Sequence, residues 1–169
     1  QYLDTQLEQA GNPGAVLLLG YSLGGRLALH YALRPADVVV ALILVSATAG
    51  IDDEKEREAR QHSDELLAQQ AEDDGVAAFL EFWQSQGLIR TQTERIHPET
   101  WERMQARRRE HKAAGLAMSL RQFGQGTLPA LWQDLPDITC PSLLVTGQED
   151  AKYNGVAEEM KESLPNARL

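Results

Sequence analysis

The feature that most constrains the fold is a serine flanked by glycines, Gly20-Tyr21-Ser22-Leu23-Gly24-Gly25. An apolar run of strand length precedes it at residues 15–19, and residues 26–34 follow it with a helical mix of alanines and bulky apolar side chains. In this context the pattern lifts the Ser22 hydroxyl above the edge of a sheet as a nucleophile. We expect a side chain at Gly20 or Gly24 to strike neighbouring backbone. The alternative is a glycine-rich turn with an incidental serine.

The rest of the chain has the pattern of a β-sheet core with a helical segment inserted into it. Residues 38–45 form a continuous β-branched and leucine run, which is typical of a central parallel strand covered on both faces. Strand, turn, helix and second strand make a right-handed βαβ unit. From residue 52 the chain is charged and helical in pattern until about residue 126, and strand character returns at 142–145. The sequence therefore predicts an α/β fold with core segments 1–51 and 127–169 and a helical cap, or lid, at 52–126.

The composition of the chain limits the kinds of partner that the protein can bind. The formal net charge of -9 and the pI of about 4.9 argue against a nucleic-acid partner, which prefers a basic face. No apolar run approaches the roughly 18 residues that a membrane span needs. The single cysteine, Cys140, allows no intramolecular disulfide and favours a cytoplasmic setting. We expect a small-molecule partner, and nothing in the sequence indicates a cofactor or a metal.

A serine needs a base that a carboxylate orients. In this kind of site the chain order is serine, acid, histidine. Asp150 follows the strand-like run and is the predicted acid, with Glu149 as its competitor and helix capping as its alternative role. The Leu23 backbone N–H, at a helix N-terminus, is the predicted oxyanion donor.

All four histidines, at positions 30, 62, 97 and 111, precede Asp150, so none fits the expected order. We expect each of them to be a surface or packing residue. We also expect the chain to be an interior piece truncated at both ends, with the base and the second oxyanion donor lying outside it. Such a piece would be inactive by itself.

With these residues placed, the chain resembles the 2-succinyl-6-hydroxy-2,4-cyclohexadiene-1-carboxylate synthase (MenH) family, a branch with the α/β-hydrolase fold. The resemblance extends over nearly the whole chain. The segments that carry it are Gly20 to Arg26, Leu42 to Ala47, Glu58 to Asp64, Phe82-Trp83, Gly115 to Arg121 and Gly147 to Tyr153.

The resemblance implies a cofactor-free lyase of menaquinone synthesis that eliminates pyruvate from an anionic cyclohexene intermediate. It implies that Ser22 and Asp150 belong to a Ser-Asp-His triad that abstracts a proton. The remaining implied site residues are three arginines for substrate carboxylates, Arg26, Arg60 and Arg108, and two pocket residues, Tyr21 and Trp83. From the residues alone, the arginines can equally be surface groups, Trp83 can be cap core, and the register around Arg108 is open by a residue or two.

Two other functions stay open at the level of sequence. One is a carboxylic-ester or carbon–carbon bond hydrolase on the same scaffold, because a fold does not dictate its chemistry. The other is a non-catalytic ligand-binding member of the superfamily.

Overall fold

The structure is a computed structural model that describes residues 2–11, 14–34 and 38–169, apart from the side chains of Tyr2, Leu88 and Thr93. Its strands are β1 (Val16–Tyr21), β2 (Val39–Val45), β3 (Ser142–Val145) and β4 (Ala167–Arg168). Its helices are α1 (Tyr2–Gln9), α2 (Leu23–Ala32), α3 (Glu54–Asp73), α4 (Gly75–Ser85), α5 (Gly87–Arg90), α6 (Gln92–Arg95), α7 (Pro98–Arg109), α8 (Ala113–Phe123) and α9 (Ala151–Ser163), with a 3-10 turn at Leu135–Asp137. No helix among the described residues is both long enough and apolar enough to cross a bilayer.

The chain divides into two compact units, residues 1–50 with 130–169 and residues 51–129. The first unit contains a four-stranded sheet in the order β1-β2-β3-β4, and all of its strand pairs are parallel. Tyr21 pairs with Val45, which pairs in turn with Val145. The carboxyl ends of β1, β2 and β3 therefore finish level with one another. The α/β fold with a parallel sheet, predicted from the sequence, is confirmed at this level.

One face of this sheet carries the core of the first unit. Helices α2 and α9 contact the strands, and their side chains share one hydrophobic cluster with the inward side chains of β2 and β3. The most deeply buried members are Leu29, Leu42, Leu44, Leu135, Ile138 and Met160. Because successive side chains of a strand point to opposite faces, Leu42 and Leu44 of β2 both point into this cluster. Val39 joins them out of phase, where the pairing with β1 shifts register between Val16 and Leu17.

The other face of the sheet differs from the sequence prediction. We expected β2 to be covered on both faces, but Ile43 and Val45 are only half-buried, and Leu17, Leu19 and Leu143 are exposed. The described helices that contact the strands pack into the single cluster of the opposite face. Among the described residues this second face of β2 is therefore only partly covered, and its continuous apolar run accompanies a central position in the sheet.

The second unit is entirely helical in its regular structure. Asp53 caps α3 by accepting a hydrogen bond from the Glu56 N–H at 2.9 Å, and Pro98 begins α7. Helices α3, α4 and α8 pack around a small core of Ala71, Phe79 and Leu80. Side chains at three- and four-residue spacing extend this core, namely Leu67, Val76, Trp83, Leu116 and Leu120.

A surface ion-pair network links α3 to α8. Arg121 donates to Glu65 at 2.8 and 2.9 Å and to Glu72 at 2.8 Å. Hydrogen bonds from Arg121 lower the pKa of Glu65 from 4.5 to about 2 and also lower the pKa of Glu72. A carboxyl group whose pKa is depressed on folding stabilises the fold above its unfolded pKa and loses that effect as the pH falls through its folded pKa.

We therefore predict that Arg121→Gln lowers the thermal midpoint at neutral pH, and that its deficit shrinks as the pH falls from about 4.5 toward 2. High salt should shrink the deficit as well, because the pair is exposed. Circular dichroism melts across this range provide the measurement. Arg107→Gln, which removes the same charge from an exposed site on α7, is the control. A deficit that is independent of pH would contradict the prediction.

Candidate active site

Ser22 occupies a strained turn between β1 and α2. Its backbone has φ 52° and ψ -116°, a conformation that costs a residue with a side chain about 1–3 kcal/mol. Hydrogen bonds hold it from both sides: the Ser22 N–H donates to the Val45 carbonyl at 2.9 Å, and the Arg26 N–H donates to the Ser22 carbonyl at 3.1 Å. The half-buried serine thus lies where a nucleophile elbow requires it, at the carboxyl end of β1.

Two glycines make this turn possible, and one of them is not the expected one. A Cβ added to Gly20 would lie 2.5 Å from both the Gly24 carbonyl oxygen and the Gly25 nitrogen. A Cβ on Gly25 would lie 2.5 Å from the Ala47 Cβ and 2.9 Å from the Gly20 carbonyl oxygen. A Cβ on Gly24 would meet nothing within 4 Å. The expectation for Gly20 is met, but the one for Gly24 is wrong, because Gly24 faces open space while Gly25 carries the contact with β1.

Leu23 is the first residue of α2, directly after Ser22. The first N–H groups of a helix have no acceptor within the helix, so this N–H suits a developing negative charge. The oxyanion role of Leu23 stays a prediction.

Asp150 lies in the loop after β3 and begins α9. Its Oδ1 accepts a hydrogen bond from the Tyr153 N–H at 3.1 Å, so it performs the capping role that was its alternative reading. Capping uses one carboxylate oxygen, and Asp150 is only half-buried. Glu149, its competitor, is exposed. Since β2 alone separates β1 from β3, Ser22 and Asp150 follow strands that lie about 10 Å apart along the carboxyl edge.

The four histidines lie on helices or beside them and are not in the Asp150 loop. His62, His97 and His111 are exposed. His30 is half-buried on α2, and its Nε2 is buried without a hydrogen-bond partner among the described residues. Burial lowers the pKa of His30, and the charge of Arg26 lowers it further. His30 therefore behaves as a neutral packing group.

Arg26 is not the surface arginine that its alternative reading supposed. Its side chain is 1% exposed, although it lies in the first turn of α2, where the helix dipole disfavours a cation. The guanidinium lies against Gly50, where an added Cβ would come within 2.8 Å of Nη2. Gly50 has φ 117° and so suits a residue without a side chain. Tyr21, the last residue of β1, is exposed.

Arg108 is the best placed of three consecutive arginines. Its neighbours Arg107 and Arg109 are exposed, whereas its Nη1 is buried without a hydrogen-bond partner among the described residues. Its Nη2 donates to the Gln92 side chain at 3.2 Å, and its guanidinium carbon lies 5.6 Å from the centre of the Trp101 ring. A buried donor without an acceptor is costly unless a ligand supplies one.

Arg60 and Trp83 also belong to the second unit. The Arg60 side chain is 35% exposed, and its Nε donates to Asp64 Oδ1 at 2.9 Å. Trp83 is half-buried and stacks on Phe79 with ring centroids 6.0 Å apart, so it does contribute to the cap core. The pocket role of Trp83 stays a prediction.

Asp64 is the residue that the sequence reasoning passed over. It is 2% exposed, and burial raises the pKa of its carboxyl group while Arg60 opposes that rise. The signal available in the sequence was the Arg60–Asp64 spacing of four residues on a helix. The described residues contain no cluster of three or more His, Cys, Asp or Glu that can hold a metal ion.

Comparison with known proteins places the chain in a family. The alpha/beta hydrolase family profile matches residues 1–169. The chain therefore belongs to the alpha/beta hydrolase family.

Within that family, the resemblance to MenH proteins seen in the sequence is confirmed. One relative is a Bacillus subtilis protein that carries the name 2-succinyl-6-hydroxy-2,4-cyclohexadiene-1-carboxylate synthase as a provisional assignment. The two sequences are 36% identical over 154 residues, which cover 91% of this chain and 56% of the relative. The synthase of that name from Pectobacterium atrosepticum is 29% identical over 143 residues, with 84% and 55% covered.

Solved structures agree. MenH from S. aureus superposes with a TM-score of 0.91 and 30% identity, over 99% of this chain and 62% of that one. A thermophilic esterase from Thermogutta terrifontis, with malate bound, superposes with a TM-score of 0.78 and 26% identity, over 98% and 59%. The chain thus spans between 55% and 62% of the length of these relatives.

The glycine contacts give a matched series of predictions. Gly20→Ala and Gly25→Ala should each lower the free energy of unfolding by about 1–3 kcal/mol, because backbone must shift to admit the methyl group. Gly24→Ala should be neutral or stabilising by up to about 1 kcal/mol, because its methyl group meets open space on a helix. Urea unfolding measures all three. Equal losses at Gly24 and Gly25 would contradict the assignment.

Proposed function

We propose that the protein is a cytoplasmic lyase of menaquinone synthesis that eliminates pyruvate from an anionic succinyl-cyclohexene carboxylate. The observation that carries the proposal is the elbow itself: a strained Ser22 with an arginine, Arg26, buried one turn further along the same helix. The names of the relatives support the same reaction class. The substrate is a small anion, and the proposal involves neither nucleic acid, membrane nor cofactor.

In the proposed reaction, Ser22 and a histidine from outside these 169 residues take a proton from a substrate carbon. The electron pair left behind forms a ring double bond as the carbon–oxygen bond to the pyruvyl unit breaks. The pyruvyl unit leaves as an enolate, which takes up the abstracted proton to become pyruvate. Asp150 orients the histidine and stabilises its protonated form. The Leu23 N–H stabilises the negative charge that develops on a carboxylate or enolate oxygen.

The arginines are proposed to bind the carboxylates of the substrate. A protein with net charge -9 repels a polyanion at long range, so local guanidinium groups must supply the attraction. A guanidinium matches a carboxylate with two parallel hydrogen bonds. Arg26, Arg60 and Arg108 are three such groups, and Tyr21 and Trp83 are proposed to line the pocket.

A carboxylic-ester hydrolase is the second candidate, and the likeness to the Thermogutta terrifontis esterase favours it. An ester hydrolase uses the same serine as a covalent nucleophile. It does not need several arginines for a neutral ester. The two candidates therefore differ in how strongly they depend on Arg26.

The test is an assay of the whole protein with the family's intermediate, in which a coupled dehydrogenase detects pyruvate. We expect pyruvate release, and Ser22→Ala should lower kcat by about 10²–10⁴-fold. Arg26→Met keeps the aliphatic stem and should lower kcat/KM by about tenfold to a hundredfold. Rapid turnover of p-nitrophenyl acetate without pyruvate release, unchanged in Arg26→Met, would favour the esterase.

A second prediction separates the three consecutive arginines. Arg108→Met should raise KM for the intermediate by about tenfold, because a guanidinium with a buried, unsatisfied Nη1 is the one poised to bind a carboxylate. Arg107→Met and Arg109→Met, at exposed positions on the same helix, are the controls and should leave KM unchanged. An equal effect at all three positions would indicate general electrostatics instead of a binding site.

A further inference from the structure

The second unit contains a buried carboxylate that no catalytic role accounts for. Asp64 lies on α3 and is 2% exposed. Its Oδ1 accepts a hydrogen bond from Arg60 Nε at 2.9 Å, one helical turn away. Its Oδ2 is buried without a hydrogen-bond partner among the described residues.

Such an arrangement is a poor way to stabilise a fold. Removing a carboxylate from water is unfavourable, and a single ion pair seldom compensates fully for it. The structure nevertheless makes room for it, because a Cβ on Gly124 would come within 2.5 Å of Asp64 Oδ2. Asp64 thus fills a site that a glycine leaves open, and among the described residues Arg60 is the only cation bonded to it.

The geometry of Arg60 suggests what the pair does. A guanidinium offers a carboxylate either its side, through Nε and one Nη, or its end, through both Nη groups. Asp64 occupies Nε, so the side is taken. Neither Nη group donates to an acceptor among the described residues, and the Arg60 side chain is 35% exposed. The two Nη groups of Arg60 are therefore available to a ligand, and the hydrogen bond from Nε to Asp64 fixes the orientation of the guanidinium.

We propose that Asp64 is a positioning residue that holds Arg60 by its Nε so that both Nη groups of Arg60 meet a substrate carboxylate end-on. The inference rests on the proposed function, since it takes the anionic cyclohexene intermediate as the ligand. Asp64 touches no substrate and acts only through Arg60. Its loss should therefore weaken substrate binding and leave the chemical step intact.

The experiment is a double-mutant cycle in the whole protein, assayed by pyruvate release. Asp64→Leu has a similar shape and no acceptor, and it should raise KM by about tenfold to a hundredfold with kcat nearly unchanged. Asp64→Asn keeps a neutral acceptor for Nε and should give a smaller rise, because charge-assisted hydrogen bonds are about twice as strong. In an Arg60→Ala background, neither substitution should raise KM further.

Glu65→Gln is the matched control. It changes the next residue of α3 and disturbs another carboxylate–arginine contact, that with Arg121, but it leaves the Arg60–Asp64 pair in place. Its KM should equal that of the unmodified protein. Circular dichroism melts of every variant separate a binding effect from a loss of folding.

Two outcomes would overturn the inference without affecting the proposed function. One is that the effects of the Asp64 and Arg60 substitutions on KM are additive in the cycle. The other is that Asp64→Leu leaves KM unchanged. If the leucine variant does not fold, the asparagine cycle decides: an unchanged KM, or a rise that persists without Arg60, overturns it. If the unmodified protein releases no pyruvate, both the proposed function and the inference fall.

Discussion

The contact between the Gly20 and Gly25 backbones is the constraint on which the elbow depends. The two residues approach so closely that neither can carry a Cβ, and Gly25 also touches Ala47 just beyond β2. That contact fixes the start of α2 against the end of β1. The hydrogen bond from Ser22 to Val45 then joins the turn to the neighbouring strand. Hydrogen bonds at both the N–H and the carbonyl of Ser22 thus hold the residue at its positive φ.

A second constraint is electrostatic. The chain is strongly acidic, yet it places arginines in buried or half-buried positions and supports each in a different way. Arg26 lies against the backbone at Gly50, Arg60 is held by Asp64, and Arg108 lies over Trp101. Taking a cation out of water is unfavourable unless something compensates it. An anionic ligand at Arg108 would supply the acceptor that its Nη1 lacks among the described residues, and a guanidinium already held in place would bind it with little loss of side-chain entropy.

The sequence predicted what depends on neighbouring residues along the chain. Local pattern and turn chemistry were enough for the strand, elbow and helix around Ser22 and for the loop position of Asp150. The features that the sequence did not predict depend on contacts between segments that are far apart along the chain. Gly25 is crowded because Ala47 arrives from the end of β2, and Asp64 is buried because Gly124 admits it. No local pattern distinguishes Gly24 from Gly25, and the four-residue spacing of Arg60 and Asp64 indicates an ion pair but not its burial.

The elbow alone does not distinguish a lyase from an esterase, because the elbow requires only a particular backbone geometry around the serine. The steric conditions met at Gly20, Ser22 and Gly25 are the same whichever substrate an enzyme of this fold binds. Selection between substrates must come from side chains that one substrate satisfies and another leaves unpaired. Under the proposed function, a guanidinium such as that of Arg108, whose buried Nη1 has no acceptor among the described residues, would favour a carboxylate over a neutral group at that position. The proposed arginines would then act by exclusion as much as by attraction. That effect would grow with the rigidity of each guanidinium, so a group that holds one, as Asp64 is proposed to hold Arg60, would influence specificity through it.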